Sequence, residues 1–186
     1  MLLLQQQEPT QSSKTLSTPS RETSMESRPM LTGQVGLVAD KRFWMGRAIL
    51  RITGWRYHHV VVAISDVECI SSEPGGTRRR LISDYPGVVW SQYAMTDKQA
   101  HMVAGIAEFS IGVRYDYLAC IMHAASAITR IDTPLWLQHW LADRAPTTCS
   151  ALAKVAIDAA GLRTPHGPLP TPNDWDMLFR ARGWIT

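Results

Sequence analysis

The sequence predicts an α+β domain in which an antiparallel sheet packs against helices, and three observations carry that expectation. His59-Val60-Val61-Val62-Ala63-Ile64 is the most strand-like run in the chain, because β-branched residues suit a pleated, buried surface. A second strand, Val67 to about Ser72, follows across a two-residue Ser65-Asp66 turn, which makes the pair a hairpin and returns Ser71 and Ser72 to the side of His59. Beyond the hairpin, apolar residues recur at helical spacing up to Gly161.

From the N-terminus, residues 1–30 are expected to be a disordered tail. Gln5 to Arg28 is rich in Gln, Ser, Thr and Pro without apolar periodicity. Met1-Leu2-Leu3-Leu4 is too short for a secretory apolar region and lacks a basic flank, so no signal peptide is read there. Residues 31–186 then form one domain, about 155 residues and long enough for a real core. No window reaches the length of a membrane span; the longest candidate, Tyr117 to Ile128, is interrupted by His123.

The net charge of +3 is too low to make nucleic acid the principal partner, and Arg78-Arg79-Arg80 reads best as a solvated hairpin edge. Three cysteines without framework spacing fit free thiols. With no C-x-x-C and no H-E-x-x-H, neither a metal nor another cofactor is expected.

Between hairpin and C-terminus the chain is mostly helical. Thr96 can cap a helix whose stripe is Gln99, Met102, Val103, Ile106 and Ala107. Tyr117 to about Thr129 forms a second helix and Pro134 to about Asp143 a third, in which Trp136 and Trp140 are expected to face the core as an i, i+4 aromatic pair. Leu152, Val155, Ala156 and Ala159 then mark a fourth, with Thr147 or Thr148 as its cap and Cys149 in its first turn.

That placement gives Cys149 its interest. Unpaired N–H groups and the positive end of the helix dipole favour a thiolate there, so a pKa below the free value of roughly 8.5 is expected. The plain alternative is a buried cysteine acting as a small hydrophobe. A nucleophile needs a base, and His59 is the best of the six histidines because it opens a rigid strand. His58 points to the opposite face by the period of two, and His123 and His139 lie on mixed helix faces.

The order of these parts resembles the permuted papain-like cysteine hydrolases, the circularly permuted branch of the NlpC-type cell-wall peptidases that includes the YiiX-type proteins and the lecithin retinol acyltransferases. There the histidine strand precedes the cysteine helix. Gly33-Gln34-Val35-Gly36-Leu37-Val38 resembles the opening strand, although the family usually has Gly-Asp. Ile52-Thr53-Gly54-Trp55-Arg56-Tyr57-His58-His59-Val60-Val61-Val62 is similar to the segment delivering the histidine, and Ser71-Ser72-Glu73-Pro74-Gly75-Gly76-Thr77-Arg78 to the stretch carrying the third polar residue. Gly112-Val113-Arg114-Tyr115-Asp116, Cys149-Ser150-Ala151-Leu152 and Thr171-Pro172-Asn173-Asp174-Trp175 match its later elements, so the likeness covers roughly residues 31 to 178.

The resemblance implies a papain-like arrangement in which the cysteine helix packs against the sheet, and covalent thiol chemistry. Cys149 would attack a carbonyl, His59 would move the proton, and Ser71, Ser72 or Glu73 would orient the imidazole. Serine at 71 departs from the acidic or amide residue frequent in the family, which leaves the choice among the three open. Backbone N–H groups at Cys149 or Ser150 would hold the oxyanion. The implied activity is hydrolysis of an amide bond, with peptidoglycan stem peptides as a plausible substrate; transfer or hydrolysis of a lipid acyl group by the same dyad is the alternative, and an inactive binding or structural protein the third. Lacking an export signal, the chain is expected to be cytoplasmic or phage-associated, with a peptide or acyl substrate as its partner. An apolar tunnel would favour acyl chemistry, and a polar groove peptide.

Overall fold

The computed structural model describes residues 30–39, 44–131, 133–143 and 147–185. Of the tail expected at 1–30, all but Met30 lies outside the described residues. The sheet has five strands, β1 (Val35–Val38), β2 (His59–Ala63), β3 (Glu68–Glu73), β4 (Gly76–Leu81) and β5 (Val89–Trp90), in the order β4-β3-β2-β1-β5 with every pairing antiparallel. Among the described residues six helices accompany it: α1 (Trp44–Thr53), α2 (Asp97–Phe109), α3 (Tyr117–Thr129), α4 (Leu135–Ala142), α5 (Cys149–Ala159) and α6 (Pro172–Ala181). The fold is therefore α+β, as the sequence predicts. Among the described residues no helix is long and apolar enough to cross a membrane.

Strand alternation divides the core. Val35, Leu37, Val60, Val62 and Ile70 face α2, α5 and α6 in a cluster completed by Val103, Leu152, Ala156, Trp175 and Phe179. Val38, Val61 and Cys69 face the other way, onto Tyr85 and the partly buried Val88 and Trp90. Each side of the sheet is thus covered, which is why β2 reads as a continuous apolar run rather than an alternating one.

The hairpin between β2 and β3 differs from expectation. Its connection is the four residues Ile64–Val67, closed by Ile64 N–H and Ser65 N–H, both donating to the Glu68 carbonyl at 3.0 and 3.2 Å. The Ser65 hydroxyl accepts from the N–H groups of Val67 and Glu68, so an ST-turn replaces the two-residue turn. The register nonetheless sets Ser71 opposite Val61 and on the face of His59.

The helix ends carry the chemistry the sequence shows. Thr96 and Gln99 form a capping box on α2, Thr171 and Asp174 another on α6 with Pro172 in the first turn, and Thr148 caps α5 by accepting from Ala151 N–H at 3.2 Å. Two details of the helices depart from expectation. Val155 is 58 % exposed and α5 buries Leu152, Ala153, Ala156 and Ile157 instead. Trp136 and Trp140 are exposed, at 71 % and 52 %. In an eight-residue helix the neighbouring i, i+4 stripe, Leu137 and Leu141, competes for the core, and that stripe reaches Ala119 and Leu169. The α1 helix was not anticipated from the sequence.

Gly33 shows how tightly the sheet sits on α2. Its φ is +82°, and a Cβ there would lie 2.8 Å from the Cα and 3.0 Å from the carbonyl oxygen of Ala100. Gly33→Ala is expected to lower stability by about 1–3 kcal/mol, combining left-handed strain with a backbone clash, which thermal unfolding will measure.

Candidate active site

The start of α5 is held from three directions. Thr147 N–H donates to the Arg114 carbonyl at 2.9 Å and the Thr147 carbonyl accepts from Asp116 N–H at 3.1 Å, a short parallel bridge to Tyr115. The Ser72 hydroxyl donates to that same carbonyl at 3.2 Å. From α6, the buried Trp175 indole N–H donates to the Ser150 carbonyl at 3.3 Å. Cys149 is therefore the first residue of a helix whose position is set by β3, the 114–116 segment and α6.

Capping decides which N–H groups remain. Thr148 satisfies Ala151 through its side chain and Leu152 through its carbonyl, at 3.0 Å, so Cys149 and Ser150 keep the free N–H groups of the first turn. Both turn toward the Cys149 sulfur, joined by the Ser150 hydroxyl at 3.9 Å and the backbone N–H of Val60. Val60 directly follows His59, so the sulfur rests against the start of β2. The ladder to β3 ends at the Val61–Ser71 pair, leaving a seam at this point.

The thiol pKa is a correction to the sequence reading. Those donors do pull it down, but burial pushes it up and is the largest effect, so Cys149 lies above its ordinary value. The helix terminus alone does not yield a thiolate. His59 is shifted in the opposite sense, down to about 3, by burial first and then by the neighbouring His58 ring, whose centroid is 6.4 Å away. The resting pair is a neutral thiol and a neutral imidazole.

His59 Nε2 and Ser71 Oγ are 2.7 Å apart, and Ser71 Oγ lies 3.5 Å from Glu73 Oε2. Hydrogen-bond roles follow from the carboxylate, which only accepts. Ser71 gives its one proton to Glu73 and must then accept from His59, placing the imidazole proton on Nε2 and the basic lone pair on Nδ1. Glu73 is held by the Arg80 guanidinium, with Nε at 3.0 Å, by an ion pair to Arg78 at 3.2 Å, and by the Tyr85 hydroxyl at 3.5 Å. The Tyr85 and His59 ring centroids are 6.0 Å apart.

Of the three candidates for the third position, Ser71 thus meets His59, Glu73 stands behind it, and Ser72 points through the sheet to anchor α5. His58 turns away, to where Gly46 of α1 leaves room: a Cβ on that glycine would lie 2.6 Å from His58 Nε2. Sulfur and imidazole approach the start of β2 from opposite sides of the sheet, Cys149 within the Val60 core and His59 on the Ser71 and Tyr85 face. Among the described residues no hydrogen bond joins them; the sulfur's side-chain partner is Ser150.

Sequence reasoning missed Tyr85, Arg78, Arg80 and Trp175. The arginines had a signal: alternation in β4 sets Arg78 opposite Ser71 and Arg80 opposite Cys69, so two of three basic residues face the site rather than solvent. For Tyr85, which follows a short 3₁₀ turn at Ile82–Asp84, the sequence carries no pattern.

A cavity of about 580 Å³ lies beyond the layer that packs on the first turn of α5, and none of Cys149, His59, Ser71 or Glu73 lines it. Its apolar floor, Ala119, Leu141 and Leu169, packs against Ala151 in the first turn of α5. Its rim is polar, with Thr53, Ser126, Arg130, Gln138, Asn173 and Asp174, and Trp55 stands at the edge four residues before His59. No family model, curated protein or solved structure matched the chain.

Proposed function

We propose that the protein is a cysteine-dependent hydrolase that cleaves an amide bond with Cys149 as nucleophile and His59 as general base, on a circularly permuted papain-like fold. What carries the reading is that a capped helix start and a strand start converge on one stretch of backbone: the sulfur lies against Val60 N–H, and the imidazole of the preceding residue is fixed through Nε2 so that Nδ1 is the basic nitrogen. Cell-wall stem peptides are the substrate class that the family resemblance supplies.

Because the resting pair is neutral, proton transfer accompanies attack. As Sγ bonds to the substrate carbonyl carbon, its proton passes to His59 Nδ1 through one bridging water round the start of β2, since the two side chains share no hydrogen bond at rest, and the carbonyl π electrons move to the oxygen. The Cys149 and Ser150 N–H groups bind that oxyanion, each such donor being worth about 3 kcal/mol. Collapse breaks the C–N bond, Nδ1 returns its proton to the leaving amine, and a thioester remains. Water then adds to the thioester, giving its proton to Nδ1; expulsion of the thiolate, reprotonated from Nδ1, releases a carboxylic acid. Ser71 stabilises the transient imidazolium by accepting from Nε2–H, and Glu73 by accepting from the Ser71 hydroxyl in turn.

Intact mass and peptide mapping test this after incubation with muropeptides, aryl esters and acyl thioesters. The expected result is an acyl adduct on Cys149 that is absent in Cys149→Ala and slow to form in His59→Ala. An unmodified Cys149 across all three substrate classes sinks the reading.

A further inference from the structure

The α3 helix presents two faces of different character. Tyr117, Leu118, Ile121 and Ile128 face outward and are exposed, whereas Ala119, Met122, His123, Ser126, Ala127 and Arg130 follow the i, i+3, i+4, i+7 rhythm into the 580 Å³ cavity beside α5. Arg130 ends that stripe with φ +58°, and it is the sole non-glycine residue with positive φ among those described. Its N–H closes the helix on the Ser126 carbonyl at 2.9 Å, a position at which glycine is the favoured residue. A long cationic side chain thus stands where the backbone favours glycine, and strain at a cavity wall points to a role in binding.

Charge in the cavity is unbalanced in effect. Asp174 is the carboxylate of the lining, and its Oδ2 is already occupied by the N–H and hydroxyl of Thr171, both at 2.7 Å, at the positive end of α6. Burial lowers the pKa of His123, keeping that ring neutral, and its Nε2 is buried with no hydrogen-bond partner. Arg130 makes no ion pair among the described residues. A guanidinium with no ion pair among the described residues, over a polar, partly apolar-floored cleft, fits a carboxylate.

We propose that this cavity is a peptide-binding site and that Arg130 is its specificity-determining residue, pairing with a side-chain carboxylate, so that acidic peptides are preferred. The assignment does not depend on the hydrolase reading, because no catalytic residue lines the cavity, and its test uses binding alone. Cys149→Ala protein is applied to an array of immobilised N-acetylated pentapeptides in pairs that differ only by Glu or Gln at one position. One charge-assisted pair predicts a preference on the order of tenfold for the Glu member of the bound pairs. Arg130→Gly in the same background is expected to erase that preference and to raise the melting temperature, because glycine suits φ +58°. Equal binding within pairs, binding to no pair, or a preference that survives Arg130→Gly overturns the proposal. A Glu preference through Arg130 in a protein whose wild type never acylates Cys149 removes the hydrolase and leaves the carboxylate site standing.

Discussion

Replacing His59 with alanine is expected to lower kcat/KM for the proposed reaction by about 10³-fold, within the 10²–10⁴ that positioned acid–base groups supply. Two terms are lost together, the proton acceptor for the thiol and the proton donor for the amine. The residues behind His59 should follow in order. Ser71→Ala removes the acceptor of Nε2–H and leaves that polar group buried and unpaired, so a loss of about 10–100-fold is expected, carried by kcat because the contact strengthens only as the ring becomes charged. Glu73→Gln keeps the shape but lets the amide offer a hydrogen where the carboxylate only accepted, and Ser71 is then free to reverse its bond. The imidazole would populate the Nδ1–H tautomer, which cannot take the thiol proton. Long-range ¹⁵N spectra of the His59 ring check this directly: Nε2–H in the wild type, a mixture in Glu73→Gln. A wild-type ring already in the Nδ1–H form would overturn the assigned role of Ser71 and Glu73. Because Glu73 also binds Arg78 and Arg80, thermal unfolding of each variant separates lost orientation from lost fold.

The second large effect is in pH dependence. For catalysis the neutral imidazole is the base, and it is present above its pKa. With His59 drawn down to about 3, the acid limb of kcat/KM is expected below about pH 5 instead of near 6.5. The thiol moves the other way, so iodoacetamide should modify Cys149 slowly at neutral pH, with a midpoint above the roughly 8.5 of free cysteine. An acid limb near 6.5, or alkylation with a midpoint below 8, contradicts the neutral pair. Stability follows the same signs. The unfolded imidazole protonates below its ordinary 6.5 while the folded one resists until about 3, so stability falls as pH drops through that window. The unfolded thiol ionises above roughly 8.5 while the folded one holds its proton, so stability also falls as pH rises beyond that value. Urea midpoints across this range should be highest between the two.

Much of this was legible before any coordinates, and the reasons are local. The Thr148 cap, the first-turn position of Cys149, the Thr96 box and the span of α3 all rest on side chains that meet their partners within four residues, so spacing alone specifies them. The opposition of Ser71 to β2 was readable too, because a hairpin register survives a miscounted turn once the apolar face is buried. What failed was choice between equivalent faces. Trp136 and Trp140 form as good an apolar stripe as Leu137 and Leu141, and only the partner surface selects one of them. The α1 helix has no acidic residue in its first turn, so the sequence carries no start signal of that kind there.

By itself the sequence determined the sheet-then-helix order, the strand that begins with His59, and the helix that begins with Cys149, since each depends on periodicity and capping along a few consecutive residues. Tertiary structure alone decided the state of the site. Whether a thiol at a helix start is ionised is a contest between nearby N–H groups and lost hydration, and the second comes from burial in a core that gathers β1, β2, α2, α5 and α6 from distant segments. The same holds for the proton on His59, which is placed by Ser71 and Glu73 across a strand pair and steadied by arginines two strands away.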